Sequence, residues 1–178
     1  MKFVDWNTVE EKEGGFHNPA PGAYIAVITS VMDKEDKEYL RVEWDFAEGE
    51  YKGYNRSTYD RAKFWPMTMF WSYKDACLGY FKQRKTAVEK SNPGFRFDCN
   101  SPSSLVGKYI GVVLGEEEYE KANGSVGKRL YVAQVRSIQS IQSGDFKVPD
   151  LKTISRDESE DGQATYKDLS GDDDELPF

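Results

Sequence analysis

Three groups of aromatic and cationic side chains lie close enough in sequence to act together. Tyr39 and Arg41 form the first; Lys52, Tyr54, Arg56, Tyr59 and Arg61 the second; Lys121, Lys128, Arg129 and Tyr131 the third. Gripping unpaired nucleic acid without reading its sequence asks for this combination: cations neutralise phosphates, and rings stack on bases for roughly 1–3 kcal/mol each. In the second group Tyr54 with Arg56, or Tyr59 with Arg61, would face the ligand, and the choice stays open because Gly53 can shift the register of a strand. In the third group Lys121, Lys128 and Arg129 bracket Asn123-Gly124 and make a cationic finger.

The elements that must position these groups read mostly as strands. From Gly22 the run Ala-Tyr-Ile-Ala-Val-Ile-Thr-Ser-Val is β-branched and predicts a first strand. Over Tyr39 to Phe46, Leu40, Val42, Trp44 and Phe46 alternate with Tyr39, Arg41, Glu43 and Asp45, which predicts a half-buried second strand. Glu48-Gly49-Glu50 then turns the chain into a third strand expected over Tyr51 to Arg61. Pro66 makes Lys63 to Trp71 a poor interior strand, and its rings Phe64, Trp65, Phe70 and Trp71 suit a barrel cap, a subunit interface or stacking platforms. Ser72 to Lys90 carries Leu78, Phe81, Lys85 and Val88 at helical steps and is stopped by Asn92-Pro93-Gly94. Two more strands, Lys108 to Glu117 and Lys128 to Ser137, join through the Asn123-Gly124 hairpin. Three strands, a helix and two strands is the order of a five-stranded OB-fold barrel, so an all-β protein with one helix is expected.

A formal net charge of −7 argues at first against a nucleic-acid partner. Its placement reverses the argument. Asp157 to Phe178 holds nine carboxylates and one lysine, Lys167, so residues 1–156 stand near +1. The expected organisation is therefore a barrel domain with an N-terminal arm over 1–156 and a disordered acidic tail over 157–178, where apolar residues are too few to offset ordering entropy. The opening residues lack the apolar core of a signal peptide and no transmembrane run occurs, which favours a cytoplasmic protein without membrane association.

The chain ends in Asp172-Asp173-Asp174-Glu175-Leu176-Pro177-Phe178. This tip resembles that of bacterial single-stranded DNA-binding proteins, in which it docks onto replication, recombination and repair proteins. A terminal ring beside the α-carboxylate suits a pocket with a basic rim, and the upstream acids steer the approach. The body resembles phage-encoded single-stranded DNA-binding proteins through Asp5-Trp6, Pro21-Gly22-Ala23-Tyr24, Glu38-Tyr39-Leu40-Arg41-Val42-Glu43-Trp44 and Val106-Gly107-Lys108-Tyr109. The resemblance implies an OB-fold body and work in phage DNA replication or recombination inside an infected bacterium. The long helix and the Phe64 to Trp71 segment depart from the typical bacterial protein, so tetramer formation is not implied, and monomer and dimer both stay open.

Other chemistries fit less well. Gly124-Ser-Val-Gly127-Lys128-Arg129 has Ala122 and Arg129 where a phosphate loop needs glycine and a hydroxyl. Cys77, Cys99 and His17 are too few and too scattered for a structural zinc, and no cofactor is expected. A metal-dependent nuclease using Glu43 and Asp45 is the enzymatic alternative; an adaptor that binds protein through its aromatic surface is the other.

Overall fold

The structure, a computed structural model, describes residues 18–154. Five strands build one sheet, antiparallel at every pairing, in the order β3-β2-β1-β4-β5. They are β1 (Gly22–Lys34), β2 (Tyr39–Phe46), β3 (Thr68–Ser72), β4 (Tyr109–Glu120) and β5 (Val126–Arg136), with helices α1 (Tyr54–Ala62), α2 (Leu78–Ser91) and α3 (Ile138–Gln142). The N-terminal arm before Asn18, the acidic tail and its Asp172 to Phe178 tip lie outside the described residues.

Long β1 serves two neighbours, pairing with β4 over Gly22–Val27 and with β2 over Ala26–Lys34. Ile28 stands opposite Trp44 and Ser30 opposite Glu43, so Thr29 is the extra residue of a bulge. The inward positions consequently switch from Ala26 and Ile28 to Val31. As the alternation requires, Leu40, Val42, Trp44 and Phe46 are all buried. Beside them lie Trp71 of β3, Ile110, Val112 and Leu114 of β4, and Val88 of α2. Burying each such side chain contributes about 1.5–3 kcal/mol over leaving it in water.

Three expectations need correction. Tyr51 to Arg61 is not a strand: its central part is α1. The alternating Tyr, Lys and Arg side chains looked like a period of two, yet the face that α1 buries is polar, Asn55 and Thr58. Hydrophobic periodicity had nothing to detect there. The third strand falls instead within the segment set aside for Pro66, which precedes β3 rather than interrupting it, and β3 pairs only with β2. The described residues also hold three α-helices rather than one. The sheet is mostly as expected but closure into a barrel is not seen: β3 and β5 end the strand order, and no pairing joins them among the described residues.

Helix α2 lies where expected, between the third and fourth strands, and packs against β3, β4 and β5. Phe81 sits edge-on to Trp71 at 6.4 Å and to Tyr73 at 6.2 Å. The Arg84 guanidinium donates to the Phe70 carbonyl at 2.9 Å, meeting one backbone acceptor of the β3 edge. Of the residues at helical steps, Val88 is buried and Leu78 is exposed.

After α3 the chain returns along β4. The Lys152 N–H donates to the Glu116 carbonyl at 3.0 Å, and the Glu118 N–H to the Lys152 carbonyl at 2.8 Å. Gly115 makes this approach possible, since a Cβ there would stand 2.7 Å from Pro149.

Candidate nucleic-acid interface

The outward face of β1, β2 and β3 carries cross-strand rows. One runs Met32–Arg41–Phe70 and the next Lys34–Tyr39–Ser72. Tyr39 and Phe70 meet edge-to-face at 5.4 Å, and Arg41 pairs with Glu43 at 3.0 Å. The Tyr39 and Arg41 of the first sequence group thus stand together beside a second ring, Phe70.

Further along the same face a cleft of about 470 Å³ opens between the sheet and α1. Val27, Ser30, Glu43 and Asp45 line its sheet side. Lys52, Gly53 and Arg56 come from the α1 side, with Trp65 and Tyr109 also on the lining. Tyr109, opposite Val27 across the β1–β4 pairing, is 47% exposed. Its backbone is fixed from α2's C-terminal end: the Asn92 amide donates to the Tyr109 carbonyl at 2.8 Å and accepts its N–H at 3.0 Å.

Asp45 holds α1 against the sheet. Its buried carboxylate accepts the backbone N–H groups of Phe46 at 2.8 Å, Asn55 at 2.9 Å and Arg56 at 3.0 Å. The last two are first-turn donors that a helix cannot satisfy itself, and the negative charge also complements the helix dipole. The Trp44 carbonyl takes the Asn55 amide at 2.8 Å and the Trp65 indole N–H at 3.1 Å. Asp45, expected on a solvated face, is therefore a buried helix anchor, while Glu43 is occupied by Arg41. The Trp65 ring is fixed by one edge at the cleft.

Helical geometry reassigns the second sequence group. Tyr54 packs against Phe46 at 6.1 Å and donates to the Asn18 side chain at 2.9 Å. Arg56 lies 5.9 Å above the Tyr59 ring and pairs with Asp60 at 3.2 Å. The Arg56–Tyr59 pair, three residues apart, replaces the two-residue pairs suggested by a strand. Tyr59 in turn lies 5.9 Å from Trp65. Residues 52–65 expose Lys52, Arg56, Arg61 and Lys63 against one carboxylate, Asp60, together with Tyr59 and Phe64.

The third group does not stay together. Lys128 and Arg129 point to opposite faces of the β4–β5 ribbon, to Glu116 at 3.5 Å and Glu117 at 2.7 Å respectively. Arg129 also lies 5.5 Å from the Tyr119 ring. Tyr131 is half-buried beneath Lys152, whose ammonium stands 4.0 Å from the ring centre. Lys121 remains on the exposed turn. With Glu116, Glu117, Glu118 and Glu120 on β4, the hairpin is far less cationic than its three basic residues suggested.

The rings of Phe64 to Trp71 divide. Trp71 is core, Phe70 joins Tyr39, Trp65 faces the cleft, and Phe64 is 57% exposed. Sequence reasoning missed Tyr109 and Lys63 as site residues. For the former, alternation offered no signal, because both faces of β4 are buried from Ile110 to Gly115. No family model matches the chain, and no curated protein matches it either.

Proposed function

We propose that the chain binds single-stranded DNA without sequence preference, through the face formed by β1, β2, β3 and α1, and has no catalytic role. The observation that carries this reading is the cleft between α1 and the sheet: Tyr109 and Trp65 line it together with Lys52 and Arg56. Rings for bases beside cations for phosphates is the combination such binding requires. Tyr39, Arg41 and Phe70 extend the same face, and Tyr59, Arg61, Lys63 and Phe64 lie on or just after α1.

The strand order supports reading the body as an OB-type barrel left partly open, with α2 packed against both edge strands, β3 and β5. The resemblance of the body supports work in phage DNA replication or recombination. That of the Asp172 to Phe178 tip supports recruitment of replication, recombination and repair proteins.

A labelled thymidine oligonucleotide and its matched duplex, each titrated with the full chain at several salt concentrations, test the reading. Binding of the single strand, weakening with salt and much stronger than that of duplex, is expected. Absence of single-strand binding at low salt overturns it in favour of a protein adaptor; magnesium-dependent loss of the strand overturns it in favour of a nuclease.

A further inference from the structure

A second cleft, of about 340 Å³, lies between α2 and the corner where β5 passes into α3. Lys82 and Lys90 of α2 and Arg136 of β5 line it, with the hydroxyls of Thr86, Ser137 and Ser140. None of the three cations pairs with a carboxylate among the described residues, unlike Lys128 and Arg129 on the hairpin. Arg136 is steadied by the Gln134 side chain, which accepts from its Nε at 2.9 Å, leaving the terminal nitrogens of the guanidinium to other acceptors. Cations and hydroxyls without an aromatic ring on the lining make a site for phosphate oxygens rather than for bases.

The two clefts share no lining residue, but the C-terminal end of α2 connects them. Lys90 stands two residues before Asn92, whose side chain exchanges two hydrogen bonds with the backbone of Tyr109. Tyr109 lines the α1 cleft. The route from Tyr109 to Lys90 that this link marks lies at the start of β4, before its acidic stretch of Glu116, Glu117, Glu118 and Glu120.

We propose that this second cleft binds the phosphodiester backbone of the same DNA strand, so that the strand stacks in the α1 cleft and is then held by its phosphates alone between α2 and α3. The inference rests on the proposed single-strand binding. It makes the binding site longer than the aromatic face and explains why three cations gather on a surface that offers no stacking.

The test compares wild-type protein with the Lys82→Ala/Lys90→Ala double variant, both side chains being exposed and making no ion pair among the described residues. Each is titrated with thymidine oligonucleotides of about 4 and about 16 nucleotides, spanning the range of OB-fold site sizes. For the long strand, the slope of log affinity against log salt should fall in magnitude by about 1.4, two contacts at roughly 0.7 each. The short strand should bind both proteins alike, and the Lys82→Arg/Lys90→Arg variant should restore the long-strand slope. If wild-type protein binds the long strand and the double variant keeps its slope, the second cleft is overturned while the proposed function stands. If wild-type protein binds neither strand, both are overturned.

Discussion

The carboxylate of Asp45 accepts the backbone N–H of Arg56 at 3.0 Å, tying a strand residue to the first turn of the helix that borders the cleft. The same carboxylate accepts from Asn55, so two orphan donors of α1 are met by one side chain eleven and ten residues earlier. Replacing Asp45 by Ala leaves these buried donors unmatched. A loss of about 2 kcal/mol in urea unfolding is expected, in the range for a lost cap or charged hydrogen bond. Single-strand affinity should fall with it, since Lys52, Arg56 and Trp65 depend on α1 for their placement.

Tyr109 separates binding from stability. Its ring is exposed, while its backbone is held by Asn92. Tyr109→Ala should leave the unfolding midpoint nearly unchanged and weaken single-strand binding about 5- to 150-fold, as loss of one stacked base implies. Equal losses of stability and affinity would assign the ring to packing.

The two basic clusters should behave differently. Lys52→Ala should lower the salt slope of single-strand binding by about 0.7, and Arg56→Ala by less, since Arg56 is paired with Asp60 at 3.2 Å. Arg129→Ala should change it little, because Arg129 is already paired with Glu117 at 2.7 Å. The reverse ranking would return the interface to the β4–β5 hairpin.

These contrasts mark where the sequence was legible. Alternation in β2 identified Leu40, Val42, Trp44 and Phe46 as core because a strand with one wet face writes its burial directly into a period of two. Helix α1 could not be read this way: it buries Asn55 and Thr58, and its anchor, Asp45, lies on another element. The hairpin cations were visible, but their cross-strand partners were not, since pairing Lys128 with Glu116 depends on register. Tyr109 joined the candidate site only when β4 was placed beside β1.

Removal of Asp157 to Phe178 takes away nine carboxylates and one lysine. An acidic segment competes with DNA for a cationic surface, so the truncated chain should bind single strands more tightly, with the gain largest at low salt. Unchanged affinity at low salt would remove the tail from the binding equilibrium.

Glu89 supplies a pH dependence within the fold. Burial opposes its charge, but the Lys85 ammonium at 2.9 Å, the Phe97 N–H at 3.0 Å and nearby Arg96 outweigh that and hold the carboxyl below its ordinary range. A carboxyl lowered in the folded state stabilises it above the unfolded pKa, and the contribution is lost as pH falls through the folded value. Glu89→Gln should therefore be less stable than wild type at neutral pH. The gap should close below about pH 4. A gap independent of pH in urea unfolding would contradict the assignment.

The central claim is that bases stack in the cleft beside α1, and intrinsic tryptophan fluorescence reads it most directly. Trp44 and Trp71 are buried, while Trp65 lines the cleft and Trp6 lies outside the described residues. Titration with an unlabelled thymidine oligonucleotide should quench the wild-type emission, and Trp65→Phe should lose most of that quenching while a labelled strand still reports binding. Full quenching in Trp65→Phe, or strand binding with no quenching in wild type, would place the bases elsewhere and contradict the account.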